Sequence, residues 1–104
     1  TIPTEIGLCS SLQELDIYQN SLYGTLPTEL GQLQALTGLN VANNGFVGTL
    51  ATVHNASGFQ FYEVSSNNFT GTLPIWLSEM TNLFHLSVSN NALTGTLPTE
   101  LSLM

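Results

Sequence analysis

The 104 residues include no lysine and no arginine, whereas a soluble chain of that length with a quarter of its residues charged would carry about a dozen. That absence removes nucleic acid, anionic membrane surfaces and phosphorylated ligands from the expected partners, because each is held by cations. Seven carboxylates, Glu5, Glu14, Asp16, Glu29, Glu63, Glu79 and Glu100, stand unopposed and set a net charge of −7. The balance favours a neutral or cationic partner, although duplication of one unit poor in basic residues leaves the same composition. Cysteine occurs once, at Cys9, so no disulfide closes within these residues. The chain has no lysine or arginine to activate this thiol, which is expected to be buried as a small hydrophobe. No apolar run reaches the ~18 residues of a membrane span, and no catalytic signature is present. Neither direct membrane contact within this segment nor enzymatic activity is expected.

What the chain has instead is a repeat. Apolar, two variable, apolar, one variable, apolar, two variable, Asn, one variable, apolar, one variable, Gly, Thr, Leu and usually Pro recur from Leu12, Leu36, Phe59 and Leu83. The copies read LQELDIYQNSLYGTLP, LTGLNVANNGFVGTLA, FQFYEVSSNNFTGTLP and LFHLSVSNNALTGTLP, and the opening TIPTEIG matches the tail of a further copy. A fixed period of about 24 residues predicts a solenoid. One array over 1–104 results, with a partial coil 1–11 and coils 12–35, 36–58, 59–82 and 83–104. Solenoids close their cores with terminal caps, and neither end has a cap pattern, so an uncapped segment of a longer array is expected.

Leu15 and Ile17, Leu39 and Val41, Tyr62 and Val64, and Leu86 and Val88 alternate with variable residues, the period of a strand with one buried face. Stacked coils set these strands side by side in a parallel sheet ~15–20 Å across. Asn20, Asn44, Asn67 and Asn91 end the strands. An inward amide, with two donors and an acceptor, pairs the backbone groups left there, so all four are read as structural. Gly24, Gly48, Gly71 and Gly95 mark a turn or close approach, and Pro27, Pro74 and Pro98 stiffen the next corner. The return segments carry apolar residues three apart: Ile6 and Cys9, Leu30 and Leu33, Leu77 and Met80, Leu101 and Met104. The coil from Leu36 is one residue short and has Ala51 in place of Pro. Val53 and Ala56 keep the spacing, which puts the deletion between Leu50 and Val53 and turns His54 outward.

This pattern over the whole chain resembles the leucine-rich repeat family, and its Gly-Thr-Leu-Pro element is similar to the plant-type class of plant receptor ectodomains and related algal proteins. The resemblance implies an α/β repeat solenoid, a right-handed superhelix with a parallel β-sheet on the concave face and irregular or short-helical return segments. It also implies a non-catalytic recognition module in an extracellular or receptor-like protein, with a protein or peptide as ligand and no cofactor.

The variable strand positions project from the concave face, and most are small and polar. Tyr18, Phe61, Phe84 and His85 place rings where the core requires none, beside Glu14, Asp16 and Glu63. Aromatic area next to charge suits contact with a protein or peptide. Glu14 with Asp16, or Glu63 with His85, offers too few ligands in no recognised metal spacing, so no metal is expected. An open sheet has no water-excluding pocket for a nucleophile. Ile75 and outward Trp76 form a candidate lateral contact with another chain, or fold back over their own coil; the sequence leaves both open. Asn55-Ala56-Ser57 and Asn68-Phe69-Thr70 are glycosylation sequons, with acceptors Asn55 and Asn68 off the sheet face. Thr1, Thr25, Thr49, Thr72 and Thr96 fill one slot of every coil, and Thr4, Thr28 and Thr99 a second. Such ladders resemble the faces of ice-binding proteins, which makes a secreted ice-binding solenoid the alternative function. A spacer without a ligand is the third.

Overall fold

The computed structural model describes residues 1–50 and 56–95. The expectations for Ala51, Val53, His54, Asn55, Thr96, Pro98, Thr99, Glu100, Leu101 and Met104 fall outside them. The apolar alternation builds β1 (Glu14–Asp16), β3 (Gly38–Asn40), β5 (Phe61–Glu63) and β7 (His85–Ser87), which pair in parallel in that order. Equivalent residues face one another, Leu15 with Leu39, Leu39 with Tyr62, and Tyr62 with Leu86. This register passes unbroken through the short coil. Its missing residue is absorbed between Gly48 and Phe61.

A second parallel sheet contains β2 (Tyr23–Thr25), β4 (Gly45–Gly48) and β6 (Asn68–Phe69). Here the strands are staggered, so that Gly24 pairs with Phe46 and Gly48 with Phe69. The stagger brings the threonine of one coil against the glycine of the next. A Cβ on Gly48 would lie 3.0 Å from the methyl of Thr25, and one on Gly95 2.8 Å from that of Thr72. These glycines also have φ of 84° and 85°, which L side chains rarely adopt. Two constraints thus demand Gly in the same slot.

The return segments are tight 3-10 turns at Thr4–Leu8, Thr28–Gln32, Ala56–Gly58 and Ile75–Glu79. Pro3, Pro27 and Pro74 precede three of them, with carbonyls that accept from the N–H groups of Ile6, Leu30 and Leu77. A 3-10 turn has three residues per turn, so apolar side chains three apart share one face. Leu30, Leu33, Leu77 and Met80 accordingly reach a core that runs along the stack and includes Phe46 and Phe69, stacked 6.3 Å apart. Cys9 fills the equivalent slot but is exposed, contrary to the sequence expectation. Leu33 has a return segment on both sides; Cys9, in the outermost coil described, has one on one side only.

Asn44 and Asn67 join successive coils. Asn67 Nδ2 donates to the carbonyls of Val64 and Ser65 in its own coil and of Val41 in the preceding one, while its Oδ1 accepts from Phe46 N–H at 3.1 Å. Asn44 and Asn91 repeat this set one coil either side. Asn20 is exposed and bonds only to Ile17 and Tyr18 of its own coil. Replacing Asn67 by Ala strands several buried groups and is expected to cost about 3 kcal/mol. Asn20→Ala is expected to cost under about 1 kcal/mol, and urea unfolding of both variants measures the difference.

Candidate functional site

Because the first sheet is in register, its outward positions form straight columns. Glu14, Gly38, Phe61 and His85 make one column, and Asp16, Asn40, Glu63 and Ser87 the next. Glu14, Asp16, Phe61, Glu63 and His85, singled out in the sequence, therefore occupy one face. Phe61 lies parallel to the His85 ring with centroids 4.4 Å apart, and Phe84 tilts against Phe61 at 6.1 Å. Phe84 is 73% exposed and Tyr18 48%, an arrangement that leaves apolar area open to a partner.

Glu63 anchors the other side of the cluster. Its Oε2 accepts from His85 Nε2 at 2.9 Å, and its Oε1 from Ser65 N–H at 3.0 Å. Partial burial resists ionisation, but the Ser65 and His85 hydrogen bonds outweigh it and hold the carboxyl below its ordinary value of 4.5. His85 is the single basic side chain within ion-pair distance of a carboxylate among the described residues.

Between the acidic and aromatic residues lies a groove of about 210 Å³, bordered by Glu14 and Asp16 on one side and Phe61 and Phe84 on the other. Leu15 and Leu39 lie beneath these borders, and Thr37, Gly38, Asn40 and Gln60 also line it. These four are not among the site residues singled out from the sequence. The readable signal was Gly38, since glycine within a strand marks a gap or a close approach. Gly38 and Ala42 are variable strand positions of the second coil, expected on the open face, but both are buried. The Glu14 side chain lies over Gly38, so a neighbour's length, rather than the residue's own slot, decides exposure there.

Other predicted residues lie elsewhere. Trp76 does not point outward: its ring meets the buried Tyr62 ring edge-on at 5.7 Å and is half-buried, while Ile75 remains 59% exposed. The Pro74 turn swings the indole over the core, where burying its large apolar area is favourable. Burial also pushes the Tyr62 phenol up. Asn68 is exposed on β6, away from the first sheet, and Asn55 is outside the described residues. Thr25, Thr49 and Thr72 are exposed, but their methyls are directed at Gly48, Gly71 and Gly95. No group of three metal-binding side chains occurs among the described residues, and no helix there is long and apolar enough to cross a membrane.

The depressed carboxyl makes stability depend on pH. A folded-state pKa below the unfolded one means that ionised Glu63 stabilises the fold above 4.5 and that this contribution is lost as pH falls through the folded value. Urea midpoints taken from neutral pH downward are expected to fall more steeply below that point for the wild type than for Glu63→Gln.

The Leucine Rich Repeat family model matches residues 11–33 and 82–104. Among solved structures, one of the BIR3–SERK2 complex from Arabidopsis thaliana superposes with a TM-score of 0.87 at 35% identity, over 97% of this chain and 55% of that one. The leucine-rich repeat ectodomain of the receptor kinase SOBIR1 from Arabidopsis thaliana gives 0.86 at 31% identity, over 97% and 55%. A plant ice-binding protein gives 0.88 at 27% identity, over 96% and 33%. The chain thus spans about half the length of the two receptor proteins. No curated protein matches it.

Proposed function

The chain belongs to the leucine-rich repeat family, with the plant-type repeat, and from that premise we propose that it is a non-catalytic recognition segment of an extracellular or receptor-like protein. Its ligand is a protein or peptide, neutral or cationic, held on the concave face. The observation that carries this reading is the groove between Glu14 and Asp16 and the rings of Phe61 and Phe84. Apolar area gives such a contact its affinity, and the unopposed negative field steers a cationic partner and rejects an acidic one. Exposed Asn68, on the second sheet, accepts a glycan without obstructing that face.

In the protein that carries this segment, Phe61→Ala with Phe84→Ala is expected to weaken partner capture at least about tenfold, the loss of one interface hot spot. The urea midpoint should be little changed, because Phe84 is mostly exposed. Unchanged capture would sink the reading.

Likeness to an ice-binding protein and the exposed threonines support a second reading, in which the chain binds ice through Thr25, Thr49 and Thr72. It requires thermal hysteresis or recrystallisation inhibition that disappears in Thr25→Lys with Thr72→Lys. If ice growth at high protein concentration is unaltered by the wild type, this second function is removed. Capture and ice growth both unaffected by their variants would leave a spacer.

A further inference from the structure

In the column Glu14, Gly38, Phe61, His85, three coils present a side chain to solvent and the second presents none. The gap at Gly38 is a slot two strand spacings wide, ~10 Å between backbones. Glu14, leaning over the buried Gly38, forms one wall with Asp16, and the rings form the other. Glu14 and Asp16 have no hydrogen-bond or ion-pair partner among the described residues, and the chain contains no lysine or arginine to supply one.

Resting on the recognition reading above, we propose that this slot takes the arginine side chain of an extended peptide segment. The guanidinium lies flat against the face of Phe61 opposite His85, beside the tilted Phe84 ring, and donates from its edge to Glu14 and Asp16. Arginine fits better than lysine, because a planar, weakly hydrated cation stacks on a ring while its fork of donors serves two acceptors. An uncharged aromatic side chain would satisfy the ring wall but desolvate two carboxylates without pairing them. A bare metal ion would lack ligands, since no three ligating side chains converge among the described residues. Glu63 takes no part, being held by His85 and Ser65.

The test is a titration of the intact protein with acetyl-Gly-Arg-Gly-amide at physiological salt, followed by NMR at the Gly38 amide and the Phe61 and Phe84 rings. Saturable shifts confined to the slot are expected. The citrulline counterpart, which keeps the shape and loses the charge, should bind about tenfold more weakly, and so should the arginyl peptide to Glu14→Gln with Asp16→Asn. Gly38→Val should abolish binding with the fold intact, because a Cβ there meets only the Glu14 side chain, at 3.3 Å; an unchanged urea midpoint verifies the fold. The proposal is overturned by equal binding of the citrulline peptide, by equal shifts around Glu5, Glu29 and Glu79, by undiminished binding to folded Gly38→Val, or by no saturable shift. Partner capture that depends on Phe61 and Phe84 while the arginyl probe fails would overturn the arginine slot alone. Probe binding without such dependence would overturn the recognition reading alone.

Discussion

The coils from Leu12, Leu36 and Phe59 each leave the first sheet, turn and enter the second, and the turn is made with backbone that would otherwise be strained. Gln19, Asn43, Ser66 and Asn90 have φ between 55° and 57°, a left-handed conformation that costs a non-glycine residue roughly 1–2 kcal/mol. Hydrogen bonds on both sides hold it. The N–H groups of Gln19, Asn43 and Ser66 donate to Ala42, Ser65 and Ser89 of the next coil. The asparagines that follow, at 44, 67 and 91, reach back to Ile17, Val41 and Val64 of the coil before. No coil can keep this turn without a neighbour, which is why repeats of this kind are stable only as stacks.

The site follows from the same joint. Holding each turn at the same place keeps β1, β3, β5 and β7 in register, and register is what lines Glu14, Gly38 and Phe61 up across three coils. A slip by one residue would turn the rings into the core and Leu39 and Tyr62 into solvent. The second sheet is held by a different fit, threonine methyl against glycine. That fit gives the threonine ladder an internal packing role and accounts for its regularity without a ligand. The face left with chemistry that packing does not explain is the first one.

How far the site could be read in advance differs from residue to residue. Phe61, Glu63 and His85 were assignable to one patch because they fall in equivalent or alternate slots of adjacent coils. The groove itself was not, because it depends on Glu14 leaning over Gly38 and on the width left between two side chains. The direction of Trp76, open in the sequence between a lateral contact and a fold-back over its own coil, depends on packing in the same way. Its slot holds Glu29 in the earlier coil, which suggests an outward direction, but the slot lies within reach of Tyr62, and an indole is large enough to cross the distance. Cys9 has the slot of Leu33 and Met80, but among the described residues a coil covers it on one side only.

Sequence alone determined the period, the parallel stacking, the inward residues and the ladders of Asn, Gly and Thr, because each is a property of one coil multiplied by repetition. Even the missing residue of the second coil left the strands aligned, since Leu39 and Tyr62 still had to share the core. Tertiary structure alone decided what lies between coils: the stagger of the second sheet, the side chains that shield Gly38, the fold-back of Trp76 and the slot facing Phe61. Those depend on distances between side chains from different turns of the solenoid, and such distances are set by packing rather than by the position of any residue in its repeat.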